Sequence, residues 1–154
     1  VIELGCGDGN QLALFLFGHY TGYDVSPTVL DKCRNLFKGD DTKEFRDMGA
    51  YAGEQADLTL SLDVIYHLIE DEVYNAYMSD LFRASRKFVI IYSSNRTEGE
   101  FGSPSAHVRH RRFTDWVAAN APDFEQIAHI PNRYPYNGDP FTSSFADFYI
   151  FQRC

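Results

Sequence analysis

Val1 and Ile2 open a short apolar run that ends at Leu4 and breaks into a turn rich in glycine, after which Gln11 to Phe17 carries apolar residues at helical spacing. The pattern predicts strand, turn and helix in that order. Tyr20 to Val25 reads as a second strand. Ser26 then offers a capping side chain with Pro27 at the first helical position, and Val29, Leu30, Cys33, Leu36 and Phe37 form a stripe of helical period. Beyond a turn at Gly39, Asp40 and Asp41, Lys43 to Arg46 is a short third strand leading into Asp47.

Leu58, Leu60 and Leu62 alternate with Thr59 and Ser61, which predicts a strand with one bulky face and one slim face. A long helix begins near Glu70, where Glu70, Asp71 and Glu72 suit the positive end of a helix dipole, and Val73, Tyr74, Tyr77, Met78, Leu81 and Phe82 share one face. Phe88 to Tyr92 is the continuous apolar run of a buried parallel strand. Ser93 to Arg112 turns polar and reads as a long loop, Thr114 as the cap of a short helix running to Asn120, and Phe124 to Ile130 and Phe145 to Phe151 as two closing strands. The connection between those two, rich in Pro, Asn, Tyr and Gly, has the composition of a lid. Alternating strands and helices imply an α/β domain, doubly wound around a mainly parallel sheet, with ligands bound beyond the carboxyl ends of its strands.

Composition narrows the picture. With 154 residues and 44% hydrophobic content, the chain reads as one domain spanning 1–154. It starts in a strand-like run without an initiator Met, so the expectation is that an N-terminal helical segment of the domain is missing. No apolar run is long enough for a membrane span. Cys6, Cys33 and Cys154 make no disulfide framework, and their odd number suits the reducing cytoplasm. A formal charge of -8 repels a phosphate backbone and argues against a nucleic-acid partner. A homodimer is compatible with all of this.

The strongest motif is the run Glu3, Leu4, Gly5, Cys6, Gly7, Asp8, Gly9, Asn10 at the first strand-to-helix turn. A dinucleotide fingerprint places its third glycine one position later, where this chain has Asn10. Glu3 to Gly9 instead resembles the first motif of class I S-adenosylmethionine-dependent methyltransferases. The resemblance extends to Asp24 at the end of the second strand, followed by Ser26 and Pro27, to Asp47 after the third, and to Leu62 to His67 after the fourth. It implies the Rossmann-like methyltransferase fold, with seven strands of which the last is antiparallel. It also implies S-adenosylmethionine as cofactor, with S-adenosylhomocysteine as product.

That cofactor presents a diol, an amino-acid head and an adenine. Suitable partners are a carboxylate at Asp24 beside Val25, the loop formed by Gly5, Cys6, Gly7 and Asp8 with Glu3 and Asn10, and an apolar slot near Asp47, Met48, Leu62 and Asp63. Asp8 has a second reading, as negative charge in the first turn of a helix.

A sulfonium is already an activated methyl donor, so acid or base catalysis matters only for acceptors such as hydroxyls. His67, placed near the methyl group by the resemblance, is the candidate base; the competing reading is a packing histidine beside Tyr66 and Leu68. His107, Arg109, His110, Arg111 and Arg112 form a basic segment in an acidic chain, suited either to an anionic small-molecule acceptor, through Arg109 and His110 in particular, or to a solvated loop whose arginines pair with nearby acids. Tyr66, Tyr92, Tyr134 and Tyr136 are candidates to line an acceptor pocket. Ser61 to Leu68, His107 to Trp116 and Ser144 to Tyr149 also look like bacterial methyltransferases that occur with carbohydrate-modifying enzymes, which leans the acceptor toward a sugar-like or other small molecule.

No metal is expected. Asp63 fits the first ligand of metal-dependent O-methyltransferases, but Ser93, Ser94 and Asn95 do not supply the second pair, and the signature of amino-methylating DNA enzymes is missing at Ser61 to Val64. Two other functions stay open from sequence: a non-catalytic S-adenosylmethionine-binding domain, and a nicotinamide-dependent oxidoreductase that would also use Asp24 on a ribose.

Overall fold

The computed structural model describes residues 1–97, 107–139 and 141–154. Among them, β1 (Ile2–Leu4), β2 (Tyr20–Asp24), β3 (Lys43–Asp47), β4 (Ala56–Leu62), β5 (Ser85–Ser93), β6 (Phe124–Ile130) and β7 (Asp147–Arg153) form one seven-stranded sheet of order β3-β2-β1-β4-β5-β7-β6. The first five strands pair in parallel, and β7 runs antiparallel to both β5 and β6. The chain reverses direction of growth at β1, which leaves a crevice beyond the carboxyl ends of β1, β2 and β4.

The helices are α1 (Pro27–Leu36), α2 (Asp71–Arg83) and α3 (Phe113–Asn120). In α1, Leu30 and Cys33 are buried in a cluster with Cys6, Leu12, Tyr20 and Phe45. In α2, Tyr74, Met78, Leu81 and Phe82 enter a larger cluster with Leu4, Val89, Ile91, Phe113 and Phe151. The slim face of β4 has a use in this packing: Thr59 is fully buried and its hydroxyl donates to the Leu81 carbonyl at 3.1 Å, so a small residue lets α2 lie close.

Three local expectations change. Gln11 to Phe17 forms a single 3-10 turn, Leu12–Leu14, and only Leu12 of that turn is buried; Leu14 is 83% exposed. Its apolar residues are nearly continuous and so point to every side. Gly9 and Gly18 also bound a segment too short to offset the cost of helix nucleation. Thr114 lies inside α3 and does not cap it. The amide of Thr114, an orphan donor of the first turn, is taken by Asn95 Oδ1 at 3.2 Å, so the cap comes from the segment just after β5. The last strand begins at Asp147, two residues later than its apolar start at Phe145, whose ring packs on Tyr66 and His110. Of the polar loop expected over 93–112, residues 98–106 lie outside the described residues, and its start at Ser93 belongs to β5.

Candidate functional site

A cavity of about 560 Å³ opens at the crevice and takes its floor from the turn after β1. Gly5 and Gly7 hold φ of 79° and 57°, conformations that side chains disfavour. They differ in purpose. A Cβ on Gly5 would stand 2.6 Å from Val64 Cγ2, so this glycine lets the opposite wall approach. A Cβ on Gly7 would meet nothing within 4 Å, so here the backbone itself faces open space.

Asp24 ties the turn to β2. Its Oδ2 accepts the Gly7 amide at 3.0 Å and its Oδ1 accepts the Ser26 amide at 2.9 Å, leaving lone pairs on both oxygens. Ser26 therefore starts α1 through its backbone, with no bond from its hydroxyl. Val25 and Met48 line the cavity from the ends of β2 and β3. Leu62 and Asp63 do so from β4, together with Cys6 and Asp8 of the turn.

Asp63 is the one non-glycine among the described residues with positive φ, at 60°. Such strain at a cavity wall is characteristic of functional positions. Its Oδ1 accepts the Tyr66 hydroxyl at 2.7 Å, and burial raises its carboxyl above the ordinary range, opposed by that bond and by nearby His67. His67 lines the same cavity. Its Nδ1 lies 3.1 Å from the His107 carbonyl, and because a carbonyl oxygen only accepts, Nδ1 is the donor, which in the neutral tautomer leaves the lone pair on Nε2.

Other expected residues stand outside the cavity lining. Glu3 is 4% exposed beneath the turn and accepts the Tyr20 hydroxyl at 2.5 Å. Burial pushes its carboxyl up to about 7, against the Tyr20 bond and with help from the charge of Asp24. Asn10 donates its side-chain amide to Asp8 at 2.8 Å, orienting that carboxylate. Asp47 is exposed and closes the turn that presents Met48, accepting the Gly49 amide at 2.8 Å. Tyr66 is buried with its hydroxyl on Asp63, and His110 is buried with Nδ1 2.7 Å from the Ser94 hydroxyl. Arg109 is committed to Asp71 at 2.9 Å and to the Ile69 carbonyl at 2.8 Å. Of the remaining tyrosines, Tyr92 bonds Asn132 and Ser144, Tyr136 packs on Phe145, and Tyr134 is exposed.

Gln11, Val64, Leu68 and Tyr77 line the cavity without having been singled out by sequence. Tyr77 sits on the apolar stripe of α2, where it reads as core. Its hydroxyl donates to the Leu4 carbonyl at 2.7 Å and lies 2.7 Å from the Ser61 hydroxyl, which ties α2 to the ends of β1 and β4. Val64 has no local signal; only the missing Cβ at Gly5 explains it. Among the described residues, no group of three or more His, Cys, Asp or Glu side chains could hold a metal, and no helix is long and apolar enough to cross a membrane.

The strand order, the lone antiparallel β7 and the glycine turn facing an acidic crevice define the Rossmann-like methyltransferase fold. A family described as methyltransferase domain matches residues 2–90, more than half the chain, and the chain belongs to that family. Solved structures agree over nearly its whole length. The methyltransferase domain of bacterial CtHen1-C is 24% identical with a TM-score of 0.68, the match covering 99% of this chain and 88% of that one. Magnesium protoporphyrin IX methyltransferase (ChlM) from Synechocystis PCC 6803, solved with bound S-adenosylhomocysteine, is 16% identical with a TM-score of 0.72, covering 99% and 73%. An S-adenosylmethionine-dependent methyltransferase from Clostridium acetobutylicum ATCC 824 is 11% identical with a TM-score of 0.73, covering 99% and 82%. At these identities the likeness is one of fold. Among curated proteins, none matches. The fold is that of class I methyltransferases, whose cofactor is S-adenosylmethionine, and the family sets aside the nicotinamide reading.

Proposed function

We propose that this chain is an enzyme that methylates a small, uncharged acceptor at a hydroxyl group, a sugar-like molecule fitting best. The observation that carries the reading is the cavity itself, in which the open backbone at Gly7, the fixed carboxylate of Asp24 and the lone pair of His67 belong to one lining. S-adenosylmethionine supplies an activated methyl group on its sulfonium when bound.

The residues present fit that group. Asp24 is preset to accept the two hydroxyls of a ribose, since each oxygen already has one backbone donor and can take another. Asp8, oriented by Asn10, is suited to an ammonium. Met48, Val25 and Leu62 offer an apolar slot for a flat ring. On the acceptor side, His67 takes the proton from the acceptor hydroxyl through Nε2 while Nδ1 remains donated to His107, and Tyr66 holds the carboxylate of Asp63 in place.

The lining favours an uncharged acceptor over an anionic one. Among the described residues it contains Asp8, Asp24 and Asp63 and no Lys or Arg, so no basic side chain there would pair with an anion. Arg109 and Arg111, which suggested an anion, are bonded elsewhere. A cytoplasmic location and a bacterial origin accord with the free cysteines and the likeness to bacterial methyltransferases.

Calorimetric titration of the chain with S-adenosylhomocysteine, S-adenosylmethionine and NADH in parallel tests the cofactor half of the proposal. Micromolar binding of the two sulfur nucleotides, with none of NADH, is the expected result; binding of NADH alone, or of nothing, would overturn it. For the acceptor half, a panel of neutral sugars, amines and sugar phosphates is incubated with labelled cofactor, and label passing to the phosphates alone would reverse the assignment of charge.

A further inference from the structure

The basic segment from His107 to Arg112 finds its place against one wall of the cavity. That wall is the stretch following β4, from Asp63 to Leu68, which starts with a strained residue and leads into α2 through Ile69 and Glu70. Such a stretch has few bonds of its own: His67 N to the Val64 carbonyl at 2.8 Å and Leu68 N to the Ile65 carbonyl at 3.3 Å. The carbonyls of Tyr66, Leu68 and Ile69 are taken from outside. The Arg109 amide donates to the Tyr66 carbonyl at 2.8 Å. Arg111 donates Nη1 to the Leu68 carbonyl at 2.6 Å and Nη2 to the Ile69 carbonyl at 2.7 Å, and Arg109 Nη1 joins it on Ile69 at 2.8 Å. His67 closes the set through its bond to the His107 carbonyl.

Arg111 is built into this position. Its side chain is only 15% exposed, its guanidinium lies 4.3 Å from the centre of the Tyr74 ring, and Asp71 pairs with it at 3.0 Å. Withdrawing a guanidinium from water is costly unless its donors are met. A planar fork spanning two successive carbonyls satisfies Nη1 and Nη2 in a way that a single ammonium does not, while Nε is buried with no hydrogen-bond partner among the described residues.

We infer that Arg111 is a positioning residue for methyl transfer, a strap that holds the cavity wall so that Val64, His67 and Leu68 keep their places. The inference rests on the proposed function for its catalytic meaning, though the strap itself is a property of the fold. It assigns the basic segment a role on the protein's own backbone.

The test compares the full chain with Arg111→Lys, Arg109→Lys and Asp71→Asn. Readouts are the affinity for S-adenosylhomocysteine, the nitrogen chemical shifts of the His67 imidazole, which report which ring nitrogen carries the proton, and the melting temperature. Arg111→Lys is expected to weaken binding roughly tenfold, the loss of a charge-assisted hydrogen bond, and to move His67 away from the Nδ1-protonated signature. Asp71→Asn keeps the carbonyl bonds and is expected to leave affinity within about twofold and His67 unchanged. Unaltered His67 shifts and affinity in Arg111→Lys would overturn the inference, as would an Asp71→Asn effect equal to it, since the ion pair would then be the working element. If Arg111→Lys does not fold, Arg109→Lys decides: it removes one carbonyl bond at the same wall, and an unmoved His67 spectrum counts against the strap. A wild-type chain that fails to bind the nucleotide sinks the proposed function, while the His67 spectra still decide the strap.

Discussion

Gly7 and Asp24 are joined by a 3.0 Å hydrogen bond from the glycine amide to Oδ2 of the carboxylate, which locks the turn after β1 to the end of β2. One side chain thus shapes the loop and faces the cavity. Asp24→Ala is expected to lower affinity for S-adenosylhomocysteine by about ten- to a hundredfold, the range for hydrogen bonds to a charged group, with Asp24→Asn intermediate. Calorimetry reads both, and an unchanged affinity would remove Asp24 from the site.

Gly5 makes a different demand. At φ of 79°, with Val64 Cγ2 only 2.6 Å from the position of a Cβ, Gly5→Ala combines backbone strain with a collision at the wall. The expected cost is about 1–3 kcal/mol of stability, measured by urea unfolding, and a weaker nucleotide complex as Val64 is displaced.

Glu3 should make stability depend on pH. Its carboxyl is raised by burial from 4.5 to about 7, so the folded state favours the protonated form. Stability is then fully present below the unfolded value and is lost as pH rises through the folded value. The shift corresponds to on the order of 3 kcal/mol across pH 4.5 to 7. Glu3→Gln keeps an acceptor for the Tyr20 hydroxyl and removes the charge. Denaturation between pH 5 and 8 should show the wild type losing stability and Glu3→Gln staying nearly level; parallel curves would refute the assignment.

His67→Ala separates catalysis from binding. With a hydroxyl acceptor the single-turnover rate is expected to fall at least about a hundredfold, while affinity for S-adenosylhomocysteine changes little. A rate insensitive to the substitution would leave His67 as a packing residue.

What the amino-acid sequence determined by itself was the repeated strand-and-helix order, the glycine turn and the carboxylate that partners it. These are local matters: hydrophobic periodicity decides which stretches become strands and helices, and glycine alone enters the turn at Gly5 and Gly7 without strain. From the same information came nine of the positions expected for the cofactor that line the cavity, and His67 with them. Tertiary structure decided the rest, because partner choice depends on segments far apart in the chain. Asn95, not a neighbour, takes the first-turn amide of α3. Tyr77 reaches the Leu4 carbonyl across 73 positions, a contact that a helical stripe does not reveal. The arginines show the difference most plainly. A cluster of positive charge in a sequence carries no direction, and only the folded chain shows Arg111 spanning 43 positions to hold the Leu68 carbonyl, turned toward its own backbone and away from the cavity.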